Sequence, residues 1–349
     1  MKQAMRGVAW AGLLMLPAVP MLGQDALRNA RIEERAGTIE DAVRGALKNA
    51  TGPTWITWSV PQSGGQSVCC CDGQGRRESP CTLEDDRGFG SSSDDRSAVA
   101  PAVMQMFLRV SAGRLEHLRV FSEGCVIDAG GRSVVRLRDA GPKESLEFLA
   151  AVAKGRDDAS ARLTDPALMA IAHHTDNGAD AVLEGFTGPG RPEELRKKAA
   201  FWMGAARGRR GYEALARLVR EDGSDRFREH IVFALSVSRE PQAIDAMLEV
   251  ARRDANPAVR GQALFWLGQK AGQKAVDGIA RSIEDDPETD VKKKAVFALS
   301  QLPKDEGVPL LLRTARTNRN PTVRREAMFW LGQSKDPRAL AFFQEVLGR

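Results

Sequence analysis

Cysteine is missing from this 349-residue sequence after Cys125, and no apolar run long enough to cross a membrane occurs beyond its first residues. The first absence confines disulfide, thiol and thiolate-metal chemistry to the N-terminal half. The second leaves Met1–Gly23 as the one segment that could enter a bilayer. Catalytic signatures are missing as well: there is no HExxH, no GxSxG elbow, no phosphate-binding P-loop and no GxGxxG turn between a strand and a helix. Histidine is scarce, with only His117, His173, His174 and His230. His230 falls inside a repeated helix where the other copies carry Lys, Gln or Glu, so it is expected at the surface, and His117 falls on an expected strand. His173 and His174, near Asp176 and Asp180, form the only cluster to weigh as a metal site. Adjacent residues on a helix point about 100° apart, so both could ligate one ion only at a frayed end. They read instead as a polar helix end leading into a turn.

The segment Met1–Gly23 has Lys2 and Arg6, an apolar run from Val8 to Leu16, then Pro17 and small residues. A basic start, a short apolar run and a small-residue exit describe a secretory signal, and the run is too short for a permanent span. Export would place the five cysteines, Cys69, Cys70, Cys71, Cys81 and Cys125, in an oxidising space. An odd number permits at most two internal bridges, with one thiol free or paired with another chain. Three consecutive cysteines cannot all face one ion, and no CxxC or nearby His completes a tetrahedral set, so disulfides are expected rather than metal.

Charge is uneven. The chain carries a net +5, and from Arg191 onward 30 Lys and Arg stand against 22 Asp and Glu, which is +8 there and −3 for residues 1–190. A basic C-terminal half could meet polyanions, but an export signal argues against DNA, and a solvated face accounts for the excess.

What the sequence has in abundance is a repeat. LRKKAAFWMG at 195, FREHIVFALS at 227, VRGQALFWLG at 259, VKKKAVFALS at 291 and VRREAMFWLG at 323 follow one another every 32 residues without a gap. The first position is apolar, from Leu195 to Val323, and the second is basic: Arg196, Arg228, Arg260, Lys292 and Arg324. Phenylalanine recurs at Phe201, Phe233, Phe265, Phe297 and Phe329. Apolar residues at offsets of 0, 4–5 and 8 share one helical face, which makes this the first helix of each unit. After a turn, a second in-frame set (Tyr212, Leu215 and Val219, with their equivalents) marks a second helix. Pro257, Pro287 and Pro321 then separate units where a helix must stop. Two short helices cannot bury their faces alone, so neighbours must stack to form the core.

The VR…FWLGQ pattern resembles the short HEAT-like repeats also found in phycobilin-lyase-type proteins. That resemblance implies an all-helical superhelix that binds other proteins; the repeat carries no catalytic group, so lyase activity is not implied. The frame extends one degenerate unit upstream, Leu163 aligning with Leu195. Gln344 replaces an apolar residue at the other end, as a partial cap would. The copies also alternate every 64 residues: Trp202, Trp266 and Trp330, each followed two residues later by Gly, interleave with Ala-Leu-Ser copies. One reading is an aromatic ladder for extended ligands. The other, preferred here, is internal packing of Trp in one repeat over Ala in the next. The basic column is likewise expected to pair with carboxylates near the preceding turn, Asp225 or Asp290.

Residues 24–155 read as a small α+β domain: a helix over 25–50, a strand at 54–60, a cysteine-rich loop over 61–101, a meander over 103–110, 115–122 and 133–139, and a helix from Glu144. The chain is therefore expected to be mainly α, with a signal at 1–23, this domain at 24–155 and an α-solenoid at 160–349. The functional expectation is an exported, periplasmic or extracellular scaffold that binds another protein. It would have no catalysis or cofactor of its own and no membrane span after signal cleavage. The alternatives are an enzyme or enzyme subunit with chemistry in the cysteine-rich half, or a polyanion-binding solenoid.

Overall fold

A computed structural model describes residues 27–49, 52–63, 81–84, 102–123, 125–155, 161–270 and 272–348. The expected signal and most of the cysteine-rich loop, with Cys69, Cys70 and Cys71, lie outside the described residues. Among the described residues, no helix is long and apolar enough to cross a membrane.

The N-terminal half runs β1 (Leu27–Arg28), β2 (Arg31–Arg35), α1 (Ile39–Asn49), β3 (Thr54–Pro61), β4 (Cys81–Thr82), β5 (Val103–Ser111), β6 (Arg114–Ser122), β7 (Ile127–Asp128), β8 (Ser133–Leu137) and α2 (Pro142–Ala153). Five strands form a mixed sheet in the order β2-β8-β3-β5-β6; the short β1, β7 and β4 form a parallel trio. β5 and β6 make a hairpin whose two turn residues, Ala112 and Gly113, both have positive φ, as a tight twisted hairpin requires.

Two expectations fail here. β8 does not continue a meander beside β6: it lies between β2 and β3 and runs parallel to both. Its side chains explain the placement. Val134 belongs to the small core under the β1-β7-β4 trio, whereas Val135 and Leu137 belong to the core under the helices, and a strand buried on both faces belongs inside a sheet. The helix expected over 25–50 is also half strand. Arg31–Arg35 is a charged edge strand, Gly37 turns the chain at φ +119°, and only then does α1 begin. Thr38 caps α1, its hydroxyl accepting from the Asp41 amide at 3.0 Å.

Trp55 and Trp58 on β3 point to opposite faces. Trp55 fills the small core and donates to Glu84. Trp58 fills the helix-side core, donates to Ser145 Oγ at 2.9 Å and meets Phe148 edge-on.

The remaining helices pair into six units: α3 (Ala161–Ala172) with α4 (Ala179–Thr187), α5 (Glu193–Ala206) with α6 (Gly208–Glu221), α7 (Asp225–Val237) with α8 (Gln242–Arg253), α9 (Pro257–Gly268) with α10 (Gln273–Asp285), α11 (Thr289–Gln301) with α12 (Lys304–Thr317), and α13 (Pro321–Ser334) with α14 (Pro337–Leu347). Ser224, Asn256, Asn320 and Asp336 cap α7, α9, α13 and α14 with side-chain oxygens. The offset-0, -4 and -8 residues of each first helix from α5 to α13 are buried, as are Leu215, Met247, Ile279 and Leu311 of the second helices. One apolar core runs from the helix side of the sheet through the whole stack. The chain is thus mainly α, a solenoid of helix pairs joined to a small α+β unit.

Candidate interaction surfaces of the solenoid

The basic column forms a ladder of ion pairs. Arg196 pairs with Asp222, Arg228 with Asp254 and Arg260 with Asp286. Each Arg thus reaches the aspartate that ends the second helix of its own unit, 26 residues on. These aspartates also accept from the backbone two residues ahead, at Ser224, Asn256 and Glu288, which fixes the inter-repeat turn. The partners differ from those expected: Asp225 only supplements Asp254 on Arg228, and Asp290 pairs with Lys293. In the fourth and fifth copies Lys292 donates to the Glu284 carbonyl and Arg324 to that of Asn318. Arg196, Arg228 and Arg260 also donate to the carbonyls of Thr187, Asp222 and Asp254 in the preceding unit, so the arginines of the ladder are occupied in tying the turns at both ends of a unit, not free for a ligand.

The aromatic residues form an unbroken zigzag. His173 meets Trp202 at 6.0 Å between ring centres, and Trp202 meets Phe201 at 5.2 Å. Phe201 stacks on Phe233 at 5.8 Å, which meets Trp266 at 5.0 Å. Trp266 meets Phe265, Phe265 stacks on Phe297 at 6.0 Å, Phe297 meets Trp330 at 4.9 Å, and Trp330 meets Phe329. The partners of Trp266 and Trp330 are thus phenylalanines of the preceding repeat, which corrects the expected packing of Trp over Ala. The small residues meet each other instead. A Cβ added to Gly204 would run into the Ala234 carbonyl, and one added to Gly268 would lie 2.9 Å from that of Ala298. Large rings stack outside and small residues let the helices close inside, with every ring from Phe201 to Phe297 half-buried. Offset 6 places the phenylalanines at the margin of the core face, where they can stack yet remain in part accessible.

The second helices carry a different surface. A groove of about 790 Å³ lies against α8 and α10, lined among others by Leu248, Glu249, Arg252, Lys274, Arg281 and Asp285. Lys274 pairs with Asp245 across it, and Glu249 lies 3.7 Å from Arg253. Arg252 and Arg281 make no ion pair among the described residues. A second groove of about 520 Å³ lies along the first helices, with Lys293, Lys294, Phe297 and Trp330 on its walls.

The histidines do not behave as the sequence suggested. His173 and His174 are buried where the stack meets the sheet, rather than at a solvated helix end. The His173 carbonyl accepts from the Ser63 amide at 2.7 Å, and His174 forms a β-bridge with Gln62 just past β3. Arg207 closes the joint, donating to the carbonyls of Ala172 and His174 and to Asp180 at 2.6 Å. Burial pushes both imidazoles down, His174 to about 4. His174 Nδ1 accepts from the Asp176 amide at 3.1 Å, which leaves the proton on Nε2, a buried atom with no partner among the described residues. His230 is half-buried rather than exposed, its Nε2 2.8 Å from the Lys197 carbonyl, and burial lowers its pKa too. His117 lies 6.3 Å from Trp55 on β6. Among the described residues, no group of three or more His, Cys, Asp or Glu could hold a metal ion. Cys81 and Cys125 are buried in the small core, and both are disulfide-bonded.

Comparison with known proteins gives the repeat its place. The sequence profile described as HEAT repeats matches residues 179–268, 244–318 and 276–349. A search of curated proteins finds no match. Among solved structures, human deoxyhypusine hydroxylase in complex with glycerol is 16% identical over 58% of this chain and 90% of that one, with a TM-score of 0.26. The complex of CpcE and CpcF of phycocyanin lyase from Nostoc sp. PCC7120 is 21% identical over 44% of this chain and 99% of that one, at 0.34. Kap121p is 14% identical over 59% of this chain and 27% of that one, at 0.38. Residues 179–349 thus carry HEAT repeats.

Proposed function

We propose that the chain is an exported scaffold that binds another protein through the second-helix face of its solenoid and performs no catalysis of its own. The observation that carries this reading is the α8–α10 groove, where Arg252 and Arg281 stand unpaired among the described residues while the arginines of the first helices are held by Asp222, Asp254 and Asp286. An unpaired guanidinium on an open wall offers a planar fork to a partner's carboxylate, and Leu248 beside it offers apolar contact. The α+β unit supports the binding face by closing the first end of the stack, through the buried joint of Gln62, Ser63, His173 and His174. Disulfide-bonded Cys81 and Cys125 fit an oxidising compartment, as the basic and apolar start of the chain does.

The test is a pull-down from the exported fraction with the full chain, run beside the double variant Arg252→Glu/Arg281→Glu. One protein retained in stoichiometric amount by the natural chain and lost by the variant is the expected result. Equal retention by both would place the contact elsewhere. Labelling of free thiols on the same material checks the compartment: Cys81 and Cys125 are expected to stay unlabelled until reduction, and their ready labelling would refute export.

A further inference from the structure

The two ends of the helical stack are finished differently. At the first end, α3 packs against β6 and α2. At the last, α13 and α14 have no further repeat beside them among the described residues. Of the five large apolar side chains exposed among the described residues, four lie in this final pair: Phe329 at 55%, Leu340 at 61%, Val346 at 47% and Leu347 at 83%. These are not random surface residues. Leu340 holds the position at which Val276 and Val308 are buried, and Leu347 that of Val219 and Ile283.

Gly332 makes the point more sharply. Its equivalents Gly204 and Gly268 have no room for a Cβ because the next first helix crosses there at Ala234 and Ala298, whereas a Cβ at Gly332 would meet nothing within 4 Å. Across the same contacts Phe201 stacks on Phe233 and Phe265 on Phe297, and Phe329 has no ring beyond it. The end face is thus one half of the interface that joins the repeats, continued to the surface.

Its pattern selects an occupant. Phe329 and Gly332 lie three residues apart, so they sit one turn apart on the same side of α13. A second α13 laid antiparallel, about a two-fold axis between positions 330 and 331, would bring Phe329 of each copy over Gly332 of the other. Large meets small in both directions, as an isologous interface requires. The same rotation sets Glu326 opposite Lys335, so the charges beside this contact are opposite in sign. We propose that the chain forms a two-fold homodimer through the α13–α14 end face, with Phe329 of each copy seated on Gly332 of its partner. The second-helix groove lies outside this face, so the proposal stands apart from the partner-binding function above.

Analytical ultracentrifugation of the full chain, over a concentration series up to about 100 μM, tests it. A mass rising to twice the monomer and no further is expected. Gly332→Arg and Phe329→Arg, each made alone, are expected to weaken the dimer by roughly 100-fold or more while leaving the circular-dichroism melt near that of the natural chain. Gln269→Arg, a charge of the same sign on an exposed site just past the end of α9, is expected to remain dimeric. A chain monomeric throughout the series overturns the proposal. So does a mass that keeps growing past the dimer, which would mean head-to-tail addition, or a dimer indifferent to both end-face variants.

Discussion

Asp286→Ala is expected to cost about 3 kcal/mol of stability, a large effect for a residue at the edge of a turn. The side chains of Arg260 and Asp286 are only 8% and 5% exposed. The pair is bidentate, with Nε to Oδ2 at 2.8 Å and Nη2 to Oδ1 at 3.0 Å. Asp286 also accepts from the Glu288 amide at 2.9 Å, so the substitution removes the turn's anchor with the same stroke. Breaking a buried pair by deleting one partner costs roughly 3–5 kcal/mol, because the remaining charge is stranded. Here the stranded guanidinium keeps the Asp254 carbonyl at 2.9 Å and that of Ala255 at 3.4 Å, which argues for the low end of that range. The melting midpoint should fall by roughly 6–12 °C. Asp286→Asn should cost only about 1 kcal/mol, since it keeps the turn and an acceptor; at the equivalent place in the next unit Asn318 already holds the turn, its Oδ1 accepting from the Asn320 amide. Arg260→Met combined with Asp286→Ala should be more stable than Asp286→Ala alone, because no charge is then left behind. Added salt should change none of this order for so enclosed a pair. The assay is urea unfolding of the four chains followed by circular dichroism. An Asp286→Ala chain within about 1 kcal/mol of the natural one, or no gain from the second substitution, would show the ladder to be a bystander.

Further expectations concern pH and close packing. Because burial holds folded His174 near 4 against an ordinary 6.5, the unfolded chain binds the extra proton first. Its contribution is therefore fully present above about pH 6.5 and is lost progressively as pH falls toward 4, up to about 3 kcal/mol, with His173 and His230 adding in the same direction. His174→Asn should flatten that slope in urea titrations run across the window, and an unchanged slope would exclude the joint as its source. Gly204→Ala should destabilise by about 1–3 kcal/mol because its Cβ meets the Ala234 backbone. Gly185→Ala, inside α4 with nothing within 4 Å of the added carbon, should stabilise by about 0.5–1 kcal/mol. Thermal melts of the two variants should move in opposite directions, and movement in the same direction would contradict the close approach.

What could be read from the residues alone follows the range of the interactions. The helix pairs were legible because a repeat writes the same buried positions again and again: Leu195, Phe227, Val259, Val291 and Val323 all fall in the core. The ladder was legible as a ladder but not in its partners, since Arg260 reaches an aspartate 26 residues on that is fixed by the next turn. The parallel pairing of Arg31–Arg35 with Ser133–Leu137 has no local mark at all, and Ile32 sat near enough to a helical spacing to suggest a helix. Gly37 followed by Thr38 and Asp41 was the available signal for the later start of α1. The burial of His173 and His174 depends on where the sheet lands, which no spacing within α3 records.

The close approach of Gly204 to Ala234 and of Gly268 to Ala298 also sets a rule for how such a chain can change its length. Adjacent helix pairs are not interchangeable; they are complementary halves. Removing one pair would press two Trp-Gly helices, or two Ala-Ser helices, against each other and lose both the ring stacking and the small-residue contact. Removing two leaves every surviving junction of the kind already present. The unit that can be gained or lost without redesign is therefore four helices, and variants of this solenoid should be tolerated in steps of 64 residues, the span from Trp202 to Trp266 and from Trp266 to Trp330.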